Sequence, residues 1–304
     1  MVKLNKDEQM KVSVVERDGE FHAYVSDRLL ASSKNRMYVM QKAKKLLSQS
    51  EELPPVRVKD DTPINTRFDH LTDLVKMVAS KETASCIVVG EGGLGKSYTV
   101  IKALEAAGLK DVSEMEVDEV ANGRQSFRVV KGFSTAKGLF RILHENKDSI
   151  LVFDDCDSVL KDPDSLNLLK GALDSFDKRL ITWNTSLDND GLPRMFQFKG
   201  GVIFVSNMPL EKISQAIRSR SLVVDLTMTK DQKIERMRVI AKSDQFLPDI
   251  DQSAKDDALN LIDEMKDNAR EISLRTLISV TKIRSSSVAK DWKALAKYIL
   301  LQAG

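Results

Sequence analysis

The chain has 304 residues, 42% of them apolar and 30% charged, with a formal net charge of +2. That mixture supports a sizeable core and excludes a mainly disordered polymer. Apolar runs as short as Ile87 to Val89 exclude a membrane span, while two cysteines and three scattered histidines exclude a disulfide framework and a zinc module.

The first ten residues are polar and mixed in charge, with no apolar signal region, so a cytoplasmic setting without a membrane partner is expected. Residues 1–50 read as a small α+β recognition unit. Lys11 to Glu16 alternates as a strand, Asp18-Gly19 marks a turn and Phe21 to Val25 alternates again. Arg36 to Leu47 has helical spacing through Met37, Met40, Ala43 and Leu47, which completes a ββα-like unit. Residues 51–66 hold Pro54, Pro55 and Pro63 among mixed charges and read as an extended linker.

Residues 67–228 alternate between helix and strand signals. A helix over Asp69 to Ser80 precedes a strand at Ser85 to Val89. A glycine loop then opens a helix from Lys96 to Ala107, which Gly108 stops. Strands follow at Phe127 to Val130, Ile150 to Phe153, Val202 to Val205 and Leu222 to Leu226, with helices at Thr135 to Glu145 and Leu166 to Phe176. This alternation calls for a parallel α/β sheet with helices on both faces. Residues 229–304 are purely helical in pattern: Asp231 to Ala241, Ser253 to Asp267, Leu274 to Ile283 and Lys290 to Gln302.

The most specific signal is the loop Gly90-Glu91-Gly92-Gly93-Leu94-Gly95-Lys96-Ser97, followed by Tyr98. Glycines let such a loop wrap phosphate oxygens, and the helix behind it adds its positive end. Lys96 would reach the β- and γ-phosphates of a nucleotide, and the Ser97 hydroxyl would ligate Mg²⁺. A second piece lies 58 residues beyond Lys96, where the apolar run Ile150 to Phe153 delivers Asp154 and Asp155 to the carboxyl edge of the sheet. Asp154 would join the metal shell, and Asp155 would polarise the attacking water.

With these two motifs the chain resembles the AAA+ ATPases over roughly residues 65–300. The resemblance implies a P-loop α/β domain with a helical lid, ATP and Mg²⁺ as cofactors, and Mg-dependent ATP hydrolysis. Val202-Ile-Phe-Val-Ser206-Asn207 resembles that family's sensor 1, which makes Asn207 the residue that orients the lytic water. Ala216-Ile-Arg218-Ser-Arg220-Ser221 resembles its arginine-finger segment, with Arg220 first and Arg218 in reserve. Ser273-Leu-Arg275-Thr276 resembles sensor 2. The chain departs from the family at Asp155, where glutamate is usual; the shorter side chain implies slower hydrolysis or a shifted water. Glu91 is a weaker substitute base.

A finger that acts in trans implies a homo-oligomer, a hexameric ring or spiral. Two segments would then face a channel. Lys131-Gly132-Phe133-Ser134 stands where the family places a pore loop, against the plainer reading of a turn with Phe133 buried. Residues 178–201 resemble a pre-sensor-1 hairpin, with Arg194 and Lys199 as charged contacts, against a hairpin that only shields the sheet.

Charge is also uneven. Residues 1–48 carry ten basic against six acidic side chains, and residues 275–304 carry six against one. Arg28, Lys34, Arg36, Lys42 and Lys45 would suit a phosphate backbone, whereas Met37, Tyr38 and Met40 would suit a protein partner. The compact plan resembles ATPases of tailed phages, which would place it in a host cytoplasm. The expected role is loading, remodelling or translocation on nucleic acid. Remodelling of a protein partner and a nucleotide-gated switch of assembly are the alternatives.

Overall fold

The computed structural model describes residues 13–17, 19–25, 28–49, 62–115, 125–176, 178–184 and 191–302. The expected strand start at Lys11, the turn residue Asp18, most of the linker over 51–66 and residues 185–190 of the expected hairpin lie outside the described residues. So do the side chains of Arg28, Lys44, Lys45 and Leu47. The chain divides into two compact units, 1–61 and 62–304.

The first unit has three strands where two were expected. β1 (Ser13–Arg17), β2 (Glu20–Val25) and β3 (Arg28–Ser33) form an antiparallel sheet in that order, followed by α1 (Arg36–Gln49). Between β2 and β3 the register shifts, with Ala23 opposite Ala31 but Tyr24 opposite Leu29. The extra residue is a bulge, and it erases the two-residue period that would have marked β3. The Asn35 side chain caps α1 by accepting from the backbone N–H groups of Met37 and Tyr38. The buried face of α1 runs through Val39 and Ala43, against Ala23 and Ala31. Met37 is 72% exposed, so the face expected through Met37 and Met40 is displaced.

The second unit opens with α2 (Ile64–Ala79), five residues earlier than the expected start at Asp69. Ile64 and Phe68 extend the same apolar stripe through Leu71, Val75 and Val78. The chain then runs β4 (Ser85–Val89), α3 (Lys96–Ala106), β5 (Lys110–Asp111), β6 (Ser126–Lys131), α4 (Ala136–Glu145), β7 (Ile150–Asp154) and α5 (Pro163–Ala172). It continues with a short hairpin, β8 (Leu180–Thr182) and β9 (Met195–Gln197), then β10 (Gly201–Ser206), α6 (Gln215–Arg218) and β11 (Leu222–Asp225). Helix α5 starts and stops earlier than expected. Asp162 caps it through the Ser165 N–H, Pro163 occupies its first turn, and Phe176 lies beyond it, exposed.

Six strands form one parallel sheet in the order β11-β4-β10-β7-β6-β5. Alternate residues of β4 divide between its faces: Cys86 and Val88 pack with α2 and α3, while Ile87 and Val89 pack with α4 and α5. Helices therefore cover both faces, and the central strands β4, β7 and β10 are buried throughout.

Arg67 of α2 donates to the carbonyls of Asp225 and Thr227, which fixes the chain where it leaves the sheet. Four helices follow: α7 (Lys230–Ala241), α8 (Gln252–Met265), α9 (Leu274–Ser285) and α10 (Trp292–Gln302). Thr229 and Gln232 close a capping box at the start of α7. The four helices enclose their own apolar core, which includes Met237, Ile262, Leu277 and Leu300. Among the described residues no helix is long and apolar enough to cross a membrane.

Candidate nucleotide site

The loop between β4 and α3 lies at the carboxyl edge of the sheet, beside the point where the strand order reverses. Three of its glycines, Gly90, Gly93 (φ +74°) and Gly95, have the positive φ that favours glycine. Gly90 has φ +143°, and a Cβ there would stand 2.9 Å from the Leu226 backbone. Gly95, with φ +90°, is the residue from which α3 starts. Gly92, Gly93 and Gly95 line a cavity of about 490 Å³ together with Lys96, Ser97, Tyr98 and residues at the ends of four other elements, β6, β7, β10 and α9. Leu94 is buried in the core beneath the loop, so only its backbone belongs to the cradle.

The Lys96 ammonium donates to the carbonyls of Gly90 (2.7 Å) and Glu91 (2.6 Å) and to Asn207 Oδ1 (2.9 Å). Burial pushes its pKa below the ordinary lysine value, opposed by the charges of Asp155, Asp154 and Glu91. Asn207, just past the end of β10, uses its amide Nδ2 to donate to Asp155 Oδ1 at 2.7 Å. One side chain thus joins the lysine to the second carboxylate. Asp155 has φ +53°, and its N–H donates to the Val205 carbonyl at 3.0 Å. A left-handed residue at a strand end turns its carboxylate out of the sheet, a conformation that aspartate tolerates better than most residues. Desolvation raises the Asp155 pKa, and Asp154 adds to this, while Lys96 and Arg275 oppose it.

Ser97 donates to Asp154 Oδ1 at 2.6 Å, and Lys131 stands 3.4 Å from Asp154 Oδ2. A hydroxyl beside a buried carboxylate is an all-oxygen donor pair, which suits a hard cation such as Mg²⁺. Among the described residues no cluster of three or more His, Cys, Asp or Glu could hold a metal. Ser97 and Asp154 therefore fit an ion that takes its remaining ligands from phosphate oxygens and water.

Arg275, at the start of α9, lines the same cavity. Arg218 and Arg220 do not. They precede β11 at the amino edge of the sheet, where Arg220 lines a separate cavity with Gly200 and Gly201. Arg220 is exposed and donates to the Ala216 carbonyl at 2.9 Å, while Arg218 is half-buried. Phe133 is 81% exposed, which removes the plainer expectation of a buried ring. The hairpin packs its inner residues onto α4: Phe196 meets Phe140 edge-on at 5.2 Å, with Ile181 and Phe198 buried beside them. Arg194 and Lys199 are exposed at opposite ends of β9.

Sequence reasoning missed three partners of the loop and of the helix it opens, all from the C-terminal helical unit. Glu91 pairs with Lys233 of α7. Tyr98 OH donates to Gln245 Oε1 at 2.6 Å, and the Leu274 N–H donates to the Gly93 carbonyl at 2.7 Å. These contacts span more than a hundred residues each, so no local pattern announces them.

No known family profile matches the chain. An uncharacterized 36.7 kDa protein of enterobacteria phage T4, from the nrdC–mobD intergenic region, is 31% identical over 188 residues. The match covers 57% of this chain and 54% of that protein, so the chain spans about half the length of its curated relative. Among solved structures, a RuvB mutant of Thermotoga maritima overlays with a TM-score of 0.48 at 14% identity, covering 78% of this chain and 69% of that one. The FIGL-1 AAA domain in complex with ADP overlays at 0.33 and 13% identity, covering 85% and 79%. Both overlays are loose. The chain's own construction brings together a six-stranded parallel sheet, a glycine loop at a strand end, an acidic strand end and a separate helical core, the features on which its sequence resembles the AAA+ ATPases.

Proposed function

We propose that this chain is an oligomeric, Mg-dependent AAA+ ATPase that couples ATP hydrolysis at subunit seams to work on nucleic acid. The supporting observation is the chain of contacts from Ser97 through Asp154 and from Lys96 through Asn207 to Asp155, around one cavity. Lys96 would neutralise the β- and γ-phosphates, and Arg275 would add a second cation from the lid. Asp155 would accept the proton of the attacking water, held in place by the Asn207 amide. Mg²⁺, held by Ser97 and Asp154, would supply charge neutralisation on the phosphate oxygens. Arg220 is too far along the strands to serve its own cavity, and its exposure suits a role in a neighbouring copy's site.

Lys131 at the end of β6 and Phe133 on the loop that follows, both exposed, are the proposed polymer contacts, with Arg194 and Lys199 on the hairpin. A basic side chain beside an exposed ring can grip phosphate and stack on a base. The test is the ATPase rate with and without DNA at two salt concentrations. Stimulation by DNA that collapses at high salt supports the reading. Stimulation only by a protein would move the substrate to polypeptide, and tight binding without turnover would make the chain an assembly switch.

A further inference from the structure

We propose that Lys233 is an electrostatic shield for the phosphate loop, which makes phosphate affinity conditional on the lid being seated. This rests on the nucleotide reading above. A loop that must receive a polyanion carries a carboxylate of its own, Glu91, whose backbone carbonyl accepts from the Lys96 ammonium at 2.6 Å. The Glu91 charge acts on Lys96 as well, among those that resist the loss of its proton. A carboxylate near enough to favour the lysine charge is near enough to repel a phosphate bound to that lysine.

Lys233 cancels that charge from outside the loop. The lysine side chain is only 13% exposed, whereas the Glu91 side chain is 56% exposed, so the cation is the fixed member of the pair. It belongs to α7, and the other two bonds to the loop come from the same helical unit: Leu274 to Gly93 and Gln245 to Tyr98. A rotation of the lid off the sheet would break all three together. With the lid seated, the loop presents Lys96 and the N-terminus of α3 to an anion. With the lid lifted, Glu91 stands unshielded on the loop whose lysine holds the phosphates. Product release is thereby tied to lid opening by charge.

The test is equilibrium binding of a fluorescent ADP, N-methylanthraniloyl-ADP, to the full chain and to Lys233→Met, Glu91→Gln and the double variant. Lys233→Met is expected to weaken binding about tenfold. Adding Glu91→Gln is expected to restore it to within about threefold. Glu91→Gln alone should release the nucleotide more slowly than the unmodified chain. Wild-type affinity in Lys233→Met would overturn the proposal. So would a double variant as weak as Lys233→Met, because the lysine would then act by packing. Lys233→Arg keeps the charge and guards against misfolding: weak binding by that variant, with an unchanged melting temperature, also overturns the shield. Failure of the unmodified chain to bind the fluorescent ADP would remove the nucleotide reading itself, whereas intact binding with a flat cycle removes the shield alone.

Discussion

The Lys131 ammonium lies 3.4 Å from Asp154 Oδ2, on the carboxylate whose other oxygen accepts from Ser97. The contact follows from the sheet, because β6 and β7 pair in a register that sets Lys131 opposite Asp154. A cation arriving between Ser97 and Asp154 must therefore compete with a lysine. Gly132, with φ +84°, turns the chain directly after that lysine, and the exposed Phe133 follows. An event at the carboxylate is thus two residues away from a displayed aromatic ring.

Replacing Lys131 with methionine is expected to lower the Mg²⁺ concentration needed for half-maximal nucleotide binding, by about threefold. The effect stays modest because Lys131 is 68% exposed and its attraction to Asp154 is screened by water. A Mg²⁺ titration of fluorescent-nucleotide binding measures this directly. An unchanged midpoint would mean that the pair is an incidental surface contact.

Asp155 and Asn207 are expected to fail differently. Asp155→Asn should bind nucleotide normally and lose turnover by about a hundredfold or more, since it removes the proposed proton acceptor. Asn207→Ala should lower kcat and also raise KM, because the same amide contacts Lys96 at 2.9 Å. Steady-state kinetics and a separate binding titration distinguish the two. Full turnover in Asp155→Asn would assign the base elsewhere.

Much of this was legible because it is local. The buried strands β4, β7 and β10 are short continuous apolar runs, and the glycine loop with Lys96 and Ser97 is a single segment. Strand β3 was hidden by its bulge, and β5 is only two residues long, below any period that a pattern can show. The contact of Lys131 with Asp154 becomes readable only when β6 and β7 are known to be neighbours. The contact of Glu91 with Lys233 depends on how the lid seats, which no spacing encodes. Long-range electrostatics is where the sequence was silent.

The lid offers a test by pH. Asp263 of α8 accepts from Arg238 at 2.5 Å and lies 3.2 Å from Lys266. Partial burial would raise its pKa, but the bonds and charges of Lys266 and Arg238 hold it below the ordinary aspartate value. A depressed pKa contributes stability above the unfolded value of about 4, and that contribution is lost as pH falls through the folded value. Because these side chains are partly exposed, Asp263→Asn should cost only about 0.5 kcal/mol at pH 7. Urea unfolding at pH 7 and near pH 3 should show the gap between the two proteins narrow at the lower pH. An equal gap at both would mean that Asp263 acts through packing.

Arg220 separates a neighbour-completed site from a self-sufficient one. It precedes β11 at the amino edge of the sheet, and Lys96 follows β4 at the carboxyl edge, so one molecule cannot bring them together without dismantling the sheet. Arg220→Ala should bind nucleotide and lose turnover by about a thousandfold, and Lys96→Ala should be inactive through loss of phosphate contact. Mixing the two inactive proteins is then decisive. In a randomly mixed head-to-tail ring about a quarter of the seams pair an intact Lys96 with an intact Arg220, so ATPase activity should return in the mixture. Two dead variants have no other route to recovery. If the mixture stays inactive while subunits demonstrably exchange, Arg220 does not act across a seam. If Arg220→Ala alone keeps its turnover, the same cycle repeated with Arg218→Ala decides whether the half-buried Arg218 takes that role.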